Sequence, residues 1–223
     1  MLLSMSADRA ADRVPENNFK RDNMANTFTF TLDSFKITDT RSRHNDTDFV
    51  TFTLLVNSGN GNGKPQTLKK SMGDVNNGVH PVNLSFTNIS VDPSASVILN
   101  YLIVNSGHKN PSQVESTLES AGTALAVKGG AALGGAIGSV VPGLGTLLGA
   151  GAGFLAGQLV GILNANCDGA VAAEQNTFTH NDLLTRTAHG TFTQTTKHPG
   201  TNSPTGCGSN SVYFVTWHIQ HVS

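Results

Sequence analysis

Residues 129–167 carry no charged side chain, an unbroken run of 39 residues in a chain of 223. No other stretch restricts the fold as much. Twelve of the chain's 24 glycines fall between Gly129 and Gly161. Their spacing says more than their number. Gly145, Gly149, Gly153, Gly157 and Gly161 recur at every fourth position, and Gly122, Ala126, Gly130, Gly134 and Gly138 form a second series upstream. Small residues four apart form a ridge along one side of a helix, where a second helix can approach closely. Val141, Pro142 and Gly143 separate the two series, so Pro142 and Gly143 mark the hinge of a helical hairpin.

Such a segment needs a partner. Glycine is about 0.8–1 kcal/mol worse than alanine in a helix interior, so twelve of them disfavour an isolated helix in water by roughly 10 kcal/mol. A bilayer makes internal backbone hydrogen bonding nearly compulsory, and close packing in an oligomer is the other remedy. The stretches Ala121–Val141 and Gly143–Leu163 contain 21 residues each. At about 1.5 Å per residue each reaches roughly 31 Å, close to the hydrocarbon thickness of a membrane. Leu144, Leu148, Leu155 and Leu159 fall on the side away from the glycine ridge, an apolar face for lipid or protein. Lys128 lies within the first of these arms, and lysine snorkels to an interface only from near a helix end.

The run GGAALGGAIGSVVPGLGTLLGAGAGFLAGQLVG, Gly129–Gly161, resembles the glycine-zipper hairpins of bacterial membrane-associated proteins. These include envelope lipoproteins, bacteriocins and channel-forming toxins. The resemblance covers about a fifth of the chain and implies membrane insertion or helix oligomerisation through Gly130, Gly134, Gly138, Gly145, Gly149, Gly153, Gly157 and Gly161.

The flanks follow a different period. In Thr27–Asp33, Phe28, Phe30 and Leu32 alternate with threonines, whereas Phe35 and Ile37 continue out of phase. That switch predicts a bulge near Asp33–Ser34. Phe49–Val56, Val82–Val91 and Ser96–Asn105 read as further strands, with turn-rich Asn57–Pro65 and Asp92-Pro93 between them. Asn110-Pro111-Ser112 opens the helical region, with Ser112 expected as cap and Glu115 at the third helical position. Strands resume at Thr177–Thr179, Gly190–Thr196 and Ser211–Val222. About seven threonine-rich strands predict an α+β protein: an antiparallel β-sandwich with an inserted, glycine-rich, apolar α-helical hairpin. The expected units are a tail over 1–25, a sandwich from 26–110 and 176–223, and an insertion over 111–175.

Composition excludes several functions. Net charge is −1 and 13% of residues are charged, so no basic surface of nucleic-acid type is expected. No nucleophile elbow, phosphate loop, HExxH or CxxC is present, and no catalytic residue or cofactor is assigned. Asp39, Asp46 and Asp48 are weak Ca²⁺ candidates, but Arg41 and Arg43 in the same loop favour a salt-bridged structural loop. Of eight histidines only His218 and His221 are close in sequence. Three apart on a strand, they point to opposite faces and cannot share a metal. The N-terminus lacks a secretory pattern, so synthesis in the cytosol with Cys167 and Cys207 as free thiols is expected. These features point to a protein that acts at a lipid membrane and assembles as a homo-oligomer, with a surface receptor or glycan as a further partner. The alternatives are a soluble homo-oligomer with the hairpins as its core, and a β-sandwich ligand-binding module.

Overall fold

The computed structural model describes residues 24–40, 46–58, 63–107, 110–132, 168–199 and 211–222, with the side chains of 128–132 excepted. Five strands come first: β1 (Asn26–Asp39), β2 (Asp46–Asn57), β3 (Gln66–Val75), β4 (Gly78–Val91) and β5 (Ser96–Asn105). Helix α1 (Pro111–Ala132) follows, then β6 (Gly169–Thr179), helix α2 (His180–Thr187), β7 (Phe192–His198) and β8 (Val212–Val222). The strands form two antiparallel sheets, ordered β4-β1-β8-β7 and β3-β2-β5-β6. Both flanks of the glycine-rich run contribute to both sheets.

The sheets face each other across one core. Phe28, Phe30, Leu32, Phe35 and Ile37 of β1 meet Val50, Phe52 and Leu54 of β2 and Val97, Leu99 and Ile103 of β5. Trp217 of β8 is fully buried there, edge-on to Phe178 and Phe192. The change of phase in β1 is a bulge: the register slips between Leu32 and Ser34 against both neighbouring strands. The slip returns Phe35 to the core and turns Asp33 toward His218, whose Nδ1 lies 2.9 Å from both carboxylate oxygens. On β4 that slip coincides with Asn83, and one further slip, between Phe28 and Phe30, coincides with Asn88; both asparagines are at positive φ, a conformation asparagine tolerates. With Pro81 they break up the free edge of the first sheet, which discourages pairing with another chain.

Two elements escaped the sequence reading. β3 is an edge strand of mixed burial, with Lys69 and Lys70 in the middle and Gly73 at a register slip, so its alternation is weak. α2 is a short helix held by a reciprocal capping box between Thr179 and Asp182. The cap of α1 also differs from expectation: Asn110 Oδ1 accepts from the Ser112 amide, so Asn110 is the cap and Pro111 the first helical residue. Proline suits that position because its missing N–H would have no helical partner.

Candidate functional site at the neck of the insertion

β5 and β6 pair directly, and Asn105 at the end of one lies opposite Gly169 at the start of the other. Everything from 106 to 168 therefore leaves and re-enters the sandwich at one point. Asp168 closes that neck, its Oδ1 accepting from the Gly107 amide at 3.0 Å and its Oδ2 3.5 Å from Ser106 Oγ. The Ser106 amide donates to the Thr47 carbonyl at 2.9 Å. The expected insertion ended near Gln175, yet β6 already occupies Gly169–Thr179. Its alternation is inverted: Glu174 and Asn176 are buried and Ala173 lies under α1, so apolar periodicity could not reveal the strand.

α1 is the first leg of the insertion. Val114, Leu118, Ala121 and Leu125 pack on Phe49, Leu102, Val104 and Ala173, the outer face of the second sheet. Ala126 meets Leu55 and Ile98. The upstream small-residue series thus begins as a sheet contact: a Cβ on Gly122 would lie 2.7 Å from Thr53 Oγ1. The opening turns of the expected arm Ala121–Val141 are thus seated on protein, and its residues 133–141 lie outside the described residues. Among the described residues no helix is long and apolar enough to cross a membrane.

The seat is partly polar. Asn100 Nδ2 donates to the Gly122 carbonyl at 3.2 Å, and hydroxyls link Thr53 to Thr67 and Thr67 to Thr123 at 2.9 and 3.0 Å. Beneath the helix, Thr51 Oγ1 and Asn100 Oδ1 are buried without a hydrogen-bond partner. Each such group costs about 1–3 kcal/mol. The helix is therefore held at its two apolar contacts and opposed between them.

Of the sequence-derived site residues, Gly130 lies in the last turns of α1, where only the backbone is described. Gly134, Gly138, Pro142, Gly143, Leu144, Gly145, Leu148, Gly149, Gly153, Leu155, Gly157, Leu159 and Gly161 lie outside the described residues, as do Arg41, Arg43, Cys167 and Cys207. Asp46 and Asp48 are brought together, fully buried, while Asp39 stands opposite Val212 on β8. His218 and His221 do face opposite ways: His218 pairs with Asp33, and His221 stacks on core Phe28 at 5.1 Å.

Two hydroxyl relays run through the core beside the neck. Tyr213 Oη lies 2.7 Å from Asp46 Oδ2 and 2.8 Å from Asp48 Oδ2. One hydroxyl proton cannot serve two carboxylates. Burial first and the neighbouring Asp46 second hold the Asp48 carboxyl well above its usual range, so Asp48 keeps its proton and donates to Tyr213. Tyr213 then donates to Asp46, whose other oxygen accepts from Asn105 Nδ2 at 2.5 Å. In the second relay His198 Nε2 donates to Tyr101 Oη at 2.6 Å, which donates to Glu174 Oε2 at 2.5 Å. Glu174 Oε1 accepts from Gln194 and Asn176 at 2.8 and 3.0 Å. Burial lowers the His198 pKa to about 4, leaving its ring neutral, and its Nδ1 is buried with no partner. Burial likewise pushes both tyrosine hydroxyls up, so neither ionises. These residues brace the end of the sandwich from which the insertion leaves; the sequence singled out only Asp46 and Asp48 among them, and as Ca²⁺ candidates rather than as relay members. Among the described residues no group of three or more His, Cys, Asp or Glu side chains could hold a metal ion. No motif spacing advertised either relay. The available hint was an ionisable residue alternating with apolar ones, as in Tyr101 and Tyr213.

Comparison with protein-family models gives no match for this chain, and comparison with curated proteins gives none either.

Proposed function

We propose that this chain is a membrane-inserting, oligomerising protein, pore-forming in the manner of a toxin or effector and without enzymatic activity. The glycine-zipper hairpin is its working part and the β-sandwich its soluble carrier. The observation that carries the reading is the neck. An uncharged run of 39 residues is spliced into a β5–β6 pairing that closes without it, so it can change surroundings while the sandwich stays folded. The partly polar seat of α1 adds support, because a helix opposed by an orphaned hydroxyl and an orphaned amide oxygen is less firmly held than its apolar contacts imply. Dye release from liposomes at neutral and acidic pH tests the proposal, and absence of both release and lipid association under either condition refutes it. Gly153→Leu separates the steps: lipid partitioning should hold while oligomers fail to form, and Leu155→Ala should do the reverse.

A second reading, a soluble homo-oligomer with the hairpins as its core, draws on Gly122 and Ala126. In the described part of the small-residue series these positions already serve a protein contact. Light scattering decides between the two. A defined oligomer that forms without detergent and ignores liposomes favours the second.

A further inference from the structure

The outer face of the first sheet lies on the side away from α1 and carries an ordered row of side chains. Val79, Lys36, Phe214 and Lys197 stand opposite one another on β4, β1, β8 and β7. The next outward row is Pro81, Ser34, Thr216 and Thr195. Between the rows a groove of about 280 Å³ is lined by Ser34, Lys36, Val79, Thr195, Phe214 and Thr216. The Phe214 ring is its apolar floor. Lys36 and Lys197 rise from the two strands flanking β8, roughly 9–10 Å apart by strand spacing, and Lys197 Nζ lies 5.8 Å from the Phe214 ring centroid. Neither lysine has an ion-pair partner among the described residues. Asp33, one row further on, is engaged by His218. The Thr195 and Thr216 hydroxyls bond each other at 2.8 Å and still have capacity for a ligand.

We propose that this groove binds an acidic saccharide. One sugar ring rests on Phe214, its carboxylate or sulfate pairs with Lys36 and Lys197, and its hydroxyls meet Ser34, Thr195 and Thr216. Two cations without an ion-pair partner among the described residues, bracketing an aromatic platform with a hydroxyl border, match that chemistry better than they match a neutral sugar or an apolar peptide. The net charge of −1 gives the chain no general attraction for polyanions, so binding has to be local. The proposal is independent of the membrane reading, because it assigns the opposite face of the sandwich and either can fail alone.

The test is calorimetry on the full chain at about 150 mM salt, where long-range attraction is screened beyond roughly 8 Å. The probes are a heparin tetrasaccharide, a galacturonic acid tetrasaccharide and neutral maltotetraose. Binding of either acidic probe but not of maltotetraose is expected. Lys36→Gln with Lys197→Gln should weaken it at least about tenfold, and Phe214→Leu, which leaves charge unchanged, by up to about tenfold. Lys64→Gln, outside the groove, should have no effect. No binding of any probe, equal loss in all variants, or loss only with the lysine pair while Phe214→Leu binds normally would each overturn the proposal. So would a wild-type chain that binds anionic vesicles through these lysines and ignores both acidic probes. Unchanged near-ultraviolet circular dichroism in each variant ensures that the groove, not the fold, is being read.

Discussion

The two outer faces of the sandwich are built from similar threonine-rich strands and have opposite fates. On the first sheet the outward residues of β1 and β8 remain partly or fully exposed: Thr29, Thr31, Lys36, Phe214, Thr216 and Gln220. On the second sheet β2 is buried on both faces, Thr51 and Thr53 included, because α1 lies across it. A threonine hydroxyl is indifferent on the open face, where water satisfies it. Under α1 the same hydroxyl must find a protein partner, and that of Thr51 does not. Covering a sheet whose outward residues are partly polar creates a contact that is stable at its ends and opposed in its middle. That is the behaviour expected of a helix leading into a segment proposed to move.

The sharpest way to break this contrast is to truncate one residue on each face. Leu118→Ala, beneath α1, should destabilise the chain by about 2–5 kcal/mol, and Thr216→Ala on the open face by less than about 0.5 kcal/mol. Urea unfolding of both variants measures the gap, and equal midpoints would mean that α1 contributes little where it sits.

Acid probes the interior next. With its pKa lowered to about 4, His198 stays neutral in the folded chain while the unfolded chain takes up a proton near pH 6.5. Its contribution is fully present above pH 6.5 and is lost as pH falls from there toward 4, by at most about 3 kcal/mol. Asp48 works in the opposite direction: its raised carboxyl binds a proton in the folded state first, so acid favours folding through it. Thermal unfolding across this range should therefore show a larger acid loss in Asp48→Asn than in wild type, and a smaller one in His198→Gln.

Gly122→Leu places a side chain where even a Cβ meets Thr53 Oγ1. It should lower stability by about 1–3 kcal/mol. If α1 is the root of a membrane-active segment, the same change should increase vesicle association. A stabilised Gly122→Leu would show that the helix does not press on β2 there.

The relay offers the finest discrimination. Asp48→Asn keeps a neutral donor toward Tyr213 and should change stability at pH 7 by less than about 1 kcal/mol. Asp46→Asn puts an amide where Tyr213 and Asn105 both donate and should lose about 1–3 kcal/mol. The reverse order would place the shared proton on Asp46.

The amino-acid order alone determined the sandwich class, several of the strands and the bulge after Leu32. Each of these follows from the period of two that a sheet with one buried face imposes, and Ser96–Asn105 came out at its observed limits. It also set apart the uncharged glycine run, because charge and spacing are written directly in the chain. It could not reveal the greater part of β6 before Thr177, whose buried side carries Glu174 and Asn176, nor the edge strand β3, nor α2 with its eight residues. What covers the second sheet, and what leaves the first one open, was decided only in three dimensions. Whether the Gly122 series meets lipid, another helix or a sheet is the same pattern in sequence. The partner is chosen by which surface stands within reach, and folding brought β2 and β5 beneath α1. The relays have the same origin: Tyr213 and Asp46 are separated by 167 residues, and only closure of the two sheets brings them within hydrogen-bonding distance.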